Sequence, residues 1–114
     1  MPKVIKILYR GHKLKDYLAV NNEPGVCFSI DQETARAYGQ GRDNDGNSRY
    51  ANGLLTSAEF NGELGLFNIN GINFKKLFQR DSAEFLRYDA IECRGGIVYV
   101  LNTSKLKKIS TETA

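Results

Sequence analysis

Few residues in this chain stand where they could do chemistry. Arg10 and His12 close an apolar stretch near the start of the sequence, YRGH over 9–12, and in an extended backbone alternate side chains share a face. Ser29 ends a second apolar stretch, Val26-Cys27-Phe28, and with Gln32 three residues on it makes a capping-box pattern at a helix start. The unpaired amides of a first helical turn favour anions. The rim formed by Ser29, those amides and the tip of Phe28 could therefore take a phosphate-bearing ligand, although helix capping alone also accounts for the pattern.

The standard catalytic arrangements are missing. His12 is the only histidine, and no G-x-S-x-G elbow is present. The glycine-rich stretch GQGRDNDG lacks the lysine and the strand-to-helix setting of a phosphate loop. Cys27 and Cys93 lie in apolar contexts with no C-x-x-C or Cys/His grouping, so they read as reduced core cysteines, and no metal site is expected. Asp43-Asn44-Asp45-Gly46 has its glycine misplaced for an EF-hand and no closing Glu, so it reads as a solvated turn.

The elements that would position these residues come from a chain of 114 residues, 41% hydrophobic and 25% charged, which is one domain (1–114) with a core of its own. A formal charge of +3 helps an anionic cofactor or acidic partner approach, but the dense basic stripe of a nucleic-acid binder is missing. The start of the chain is too charged for a signal peptide and no run approaches membrane-spanning length, so a soluble, cytoplasmic protein is expected.

Residues 4–9 read as a strand stopped by Gly11, and 13–20 as two helical turns. A turn follows at 21–25, then strand 26–28 and a helix over 31–38 with Ser29 as N-cap and Gly39 as C-cap. Residues 40–52 read as a long surface loop. Asn61-Gly62 predicts a hairpin between strands 54–60 and 63–69. Short helices are expected over 74–78 and 81–86. Strands 88–93 and 97–101 make a second hairpin through Arg94-Gly95-Gly96, and 104–109 reads as a basic helical tail. The layout is α+β, antiparallel strands and hairpins with short helices between them.

In their order, Tyr9-Arg10-Gly11, the strand Val26 to Ser29 running into a helix that ends Ala35-Arg36-Ala37-Tyr38, and the late Tyr88-Asp89-Ala90-Ile91 resemble the ADP-ribosyltransferase fold across essentially the whole chain. That family carries an Arg or His after an aromatic at the end of the first strand. Its second block is a strand of the form G-(I/V)-x-F-S followed by a helix ending A-x-x-Y, and a Y-D-(A/S/G)-(I/V) strand comes late. The resemblance implies a compact mono-ADP-ribosyltransferase with NAD as substrate, bound by Tyr9, Arg10, Gly11, His12, Phe28, Ser29 and Tyr38. Arg10 would hold the diphosphate or the nicotinamide-side ribose through its planar fork of donors. Gly11 would let the backbone approach the nicotinamide amide, Ser29 would shape its pocket, and Tyr38 would lie against its ring. His12 would contact the ribose or position the acceptor.

The family's catalytic glutamate usually stands just before the last hydrophobic strand, where this chain has Gly95 and Gly96. Glu92 is the nearest carboxylate, and the resemblance implies that it would take that role with Arg10 as the catalytic pair, Asp89 being next in line and a missing acid the alternative. Small stand-alone members look like phage or bacterial effectors, for instance anti-defence factors that modify one host or partner protein. Arg42 and Arg49 in the 40–52 loop would meet that protein. The alternative is a catalytically degenerate member of the fold that acts as a protein-binding inhibitor, and NAD hydrolysis is a third reading.

Overall fold

The computed structural model describes residues 3–20, 23–42, 47–49 and 52–114. Among them the elements run β1 (Lys3–His12), β2 (Val26–Ser29), α1 (Gln32–Gln40), β3 (Leu54–Leu66), α2 (Phe74–Phe85), β4 (Ala90–Glu92), β5 (Ile97–Val100) and β6 (Leu106–Thr113). The sheet order is β1-β2-β5-β4-β3-β6, and β1 also pairs with β3, which closes five strands into a small β-barrel with β6 laid along β3. The molecule is thus a mixed α+β fold, mostly strands with two helices.

β3 is the spine. Every second residue from Thr56 to Leu64 is buried, the period of a strand with one face in the core. It pairs antiparallel with β1 from Leu54 to Glu63, antiparallel with β6 along its first half, and parallel with β4 at its end. The hairpin expected at Asn61-Gly62 does not form. A two-residue hairpin turn of that kind needs positive φ at its centre, whereas Gly62 is absent from the positive-φ glycines and pairs with Val4 as ordinary strand. Its bare Cα is needed for a different reason: a Cβ there would lie 2.7 Å from an Asp89 carboxylate oxygen, which accepts a hydrogen bond from the Glu63 amide at 2.8 Å.

Other local expectations also yield to tertiary structure. Gly11 does not stop β1, which continues through His12. Residues 13–20 form turns rather than a helix. Residues 104–109 do not continue as a helix either: a 3-10 turn at Thr103–Lys105 leads into β6, whose β-branched Ile109, Thr111 and Thr113 suit the open edge of β3. The two short helices predicted over 74–86 run together as α2, with a non-helical Asp81 (φ −125°, ψ 39°) at the join. The Arg94-Gly95-Gly96 turn joins antiparallel β4 and β5, with φ of 79° and 75° at the two glycines. The calcium-loop comparison at 43–46 falls outside the described residues.

The barrel encloses Leu8, Val26, Phe28, Phe60, Leu64, Val98 and Val100. Completely burying a side chain such as Phe60 contributes roughly 1.5–3 kcal/mol. A second cluster packs α2 on the sheet, where Phe74 stacks on Tyr99 with ring centroids 4.5 Å apart and the Tyr99 hydroxyl donates to Gly71 O at 2.9 Å. No helix among the described residues is long and apolar enough to cross a membrane.

Candidate functional site

β1 and β2 share one residue pair, Tyr9 with Ser29. Beyond that seam they are not bridged, and a cavity of about 850 Å³ opens between them, α1 and residues 13–19. That volume falls in the range of small-molecule pockets. β1 contributes Tyr9, Arg10, Gly11 and His12, β2 contributes Phe28 and Ser29, and α1 contributes Tyr38, so every residue assigned to NAD from the sequence lies on its wall.

Arg10 is the most unusual of them. Its Nη1 donates to Cys27 O at 2.8 Å and its Nη2 to Ala19 O at 2.9 Å, while Nε is shielded from solvent without a partner. No carboxylate among the described residues forms an ion pair with it. Burial lowers its pKa, partly offset by Cys27, Tyr38 and Asp16, yet a guanidinium stays protonated in proteins. The wall therefore holds a positive charge that is hydrogen-bonded to carbonyls and forms no ion pair among the described residues, and an anion in the cavity would complete it.

His12 is buried and both of its nitrogens are engaged. Nδ1 lies 2.6 Å from Leu14 O, and because a carbonyl can only accept, Nδ1 carries a hydrogen. Nε2 lies 2.7 Å from the Thr56 hydroxyl, itself 2.7 Å from the Thr111 hydroxyl. Burial pushes the imidazole pKa below its usual 6.5, with Arg10 lowering it further and the Leu14 carbonyl and Asp16 opposing. At neutral pH the ring is uncharged, so the hydroxyls donate in sequence from Thr111 to Thr56 to His12. This leaves no ring nitrogen for a ribose or an acceptor. His12 fastens residues 13–19 to β1.

The remaining residues sort by what their side chains touch. Gly11 faces α1: a Cβ there would sit 1.9 Å from Ala35 O and 2.3 Å from Gly39 N. Its bare Cα lets the helix backbone lie directly on the strand. Phe28 is 1% exposed and packs edge-on to Tyr17, so its tip belongs to the core and not to a rim. Ser29 is buried and accepts from the Asp31 amide at 3.0 Å, whereas the N-cap of α1 is Asp31, which accepts from the Thr34 amide at 3.1 Å. Bonds from Thr34 hold the Asp31 pKa below the ordinary value. The helix start thus carries its own carboxylate, and the anion site expected there is filled from within. At the other end the cap is Gly41 (φ 61°), two residues past Gly39. Tyr38 is 78% exposed, a free aromatic face at the cavity edge.

Glu92 does not reach this cavity. It lies at the end of β4 and pairs with Lys6 Nζ at 2.9 Å. Asp89 is equally committed, accepting from the Glu63 amide at 2.8 Å and from Asn102 Nδ2 at 3.2 Å, while its carbonyl accepts from the Leu101 and Asn102 amides. The Y-D motif is a staple between β3 and the chain after β5. Residues that sequence reasoning passed over include Asp16, the one carboxylate among the described residues on the cavity wall, and Thr56, which orients His12. Neither carries a sequence signal, since Asp16 sits in a turn read as helix and Thr56 in an ordinary strand. Arg42 and Arg49 also line the cavity, which leaves its wall cationic. No grouping of His, Cys, Asp and Glu among the described residues could hold a metal ion.

Compared with known proteins, the chain matches no family model, no curated protein and no solved structure.

Proposed function

We propose that this chain binds NAD in the cavity between β1, β2 and α1 and transfers ADP-ribose from it to a partner protein, as a mono-ADP-ribosyltransferase of the compact effector type. The observation that carries this reading is a half-buried Arg10 guanidinium without an ion-pair partner among the described residues, on the wall of one cavity with the exposed ring of Tyr38 and the carboxylate of Asp16. In the reaction the ribose–nicotinamide bond breaks, a nucleophile of the partner forms the new bond to the ribose carbon and loses its proton, and nicotinamide leaves. Arg10 holds the diphosphate, and Tyr38 offers its ring to the nicotinamide. The developing positive charge on the ribose calls for a carboxylate. Asp16 stands on the cavity wall and Glu92 does not, so Asp16 takes the role in place of Glu92.

The second reading, a non-catalytic protein that inhibits a partner by binding it, is favoured by the Lys6–Glu92 ion pair, which ties up the carboxylate nearest the family's usual position. Incubating the protein with labelled NAD and cell lysate separates the two. Label on a discrete protein band supports transfer, and it should drop at least about tenfold in Arg10→Met and Asp16→Asn while persisting in Glu92→Gln. Protein that neither binds nor consumes NAD sinks the transferase reading.

A further inference from the structure

Two cavities meet at Arg10. Beside the larger one lies a second of about 490 Å³, and Arg10, Leu14, Ala19 and Cys27 line both. The segment 13–19 gives Leu14 and Ala19 to this shared lining. It belongs to neither sheet nor helix. Tyr17 and Leu18 rest on the barrel core, and its internal bonds include a tight turn, Leu18 N to Asp16 Oδ1 at 3.0 Å and Ala19 N to Asp16 O at 3.1 Å. Two side chains from one face of β1 hold it by its carbonyls, His12 at Leu14 O and Arg10 at Ala19 O.

The two fastenings differ in kind. His12 is neutral and locked by Thr56, so its grip does not depend on what enters the cavity. Arg10 holds Ala19 through Nη2, and Nη2 shares with the unpartnered Nε the two-donor edge that a phosphate takes side-on. The bond to the Ala19 carbonyl has a charge on the donor alone, whereas an anion at that edge adds the attraction between opposite charges, so it competes with Ala19 for Nη2. Nε is sealed from solvent, so the anion gains the edge only as its surroundings shift, and the Ala19 carbonyl on Nη2 belongs to a fastened segment outside sheet and helix.

We propose that residues 13–19 are an anion-released strap: an anion binding to Arg10 frees the strap at Ala19 while His12 keeps it tethered at Leu14, and the two cavities become one cleft. This rests on the reading of the larger cavity as an anion cleft, though not on NAD being the anion. The joined cleft suits a ligand with a central diphosphate and a bulky group on each side, one per cavity.

The test uses the full chain with inorganic pyrophosphate, following binding by calorimetry and the strap by amide hydrogen exchange. Saturating pyrophosphate should speed exchange across 14–20 about tenfold and leave the β3 amides unchanged. Arg10→Met should show the fast strap without pyrophosphate and no response to it. Should that variant lose β3 protection, Arg10→Lys serves instead, because an ammonium can hold one carbonyl but lacks the paired edge; its strap should stay slow with pyrophosphate present. Binding to the wild type with unchanged or slower strap exchange overturns the release while leaving the anion cleft standing. Absence of pyrophosphate binding overturns both, and a well-folded Arg10→Met with wild-type strap protection overturns the fastening itself.

Discussion

His12 shows how a residue that reads as a reagent becomes a fastener. With Nδ1 on Leu14 O and Nε2 on the Thr56 hydroxyl, its chemistry is spent on the fold. Its folded pKa lies below the 6.5 of the free group because burial disfavours the cation. The unfolded chain therefore binds the proton more readily, so this contribution to stability is complete above pH 6.5 and is lost as pH falls from there through the folded value. The urea midpoint of the wild type should drop between about pH 7 and pH 5, and His12→Gln should flatten that dependence. Thr56→Val leaves Nε2 without its donor and should cost about 1–3 kcal/mol by the same measurement, more than Thr111→Val at the exposed end of the chain of hydroxyls.

Among elements, α1 lies so close to the strands that three backbones touch. A Cβ on Gly11 or Gly53 would overlap the α1 main chain at Ala35 or Gly39. Gly11→Ala should therefore cost about 3 kcal/mol or more, read as lost helix signal and a lowered melting temperature. Nothing in the sequence separates that need from a strand terminator, because both call for glycine. The same ambiguity explains Asn61-Gly62, where a glycine required for close packing against Asp89 stands in the pair that signals a turn. What could be read in advance was governed by neighbours along the chain: the Val26–Ser29 strand feeding α1, the Arg94-Gly95-Gly96 turn between β4 and β5, and the strand face shared by Arg10 and His12. What could not be read was governed by distant partners. Glu92 belongs to Lys6 and Asp89 to Glu63 and Asn102, and a strand edge on β3 turns the basic tail into β6.

At the scale of the molecule, the barrel and the α2 layer meet along Ile91, Cys93 and Tyr99. Burial pushes the Cys93 thiol up to about 11, with Cys27 and Glu92 adding to the shift. At pH 8 only about a thousandth of it is thiolate. Cys93 labelling by a thiol reagent should therefore be at least about a hundredfold slower in the native protein than in urea, and its native rate should follow global opening. Fast native labelling at Cys93 would mean that the α2 layer opens independently of the barrel.

The pairing of β3 with β1 on one side and with β4 and β6 on the other also sets the order of assembly during synthesis. Among the described strands, only β4 and β5 are joined by a tight hairpin, whereas Lys3 waits for Glu63 and Leu54 waits for Thr113. Pairings that distant make folding slow and expose apolar strands while they wait. A ribosome-bound chain that has not yet released β6 lacks Thr111, and so the outer hydroxyl of the relay to His12. The relay behind His12 is then completed only after β6 has emerged, later than the barrel strands that carry His12 and Thr56.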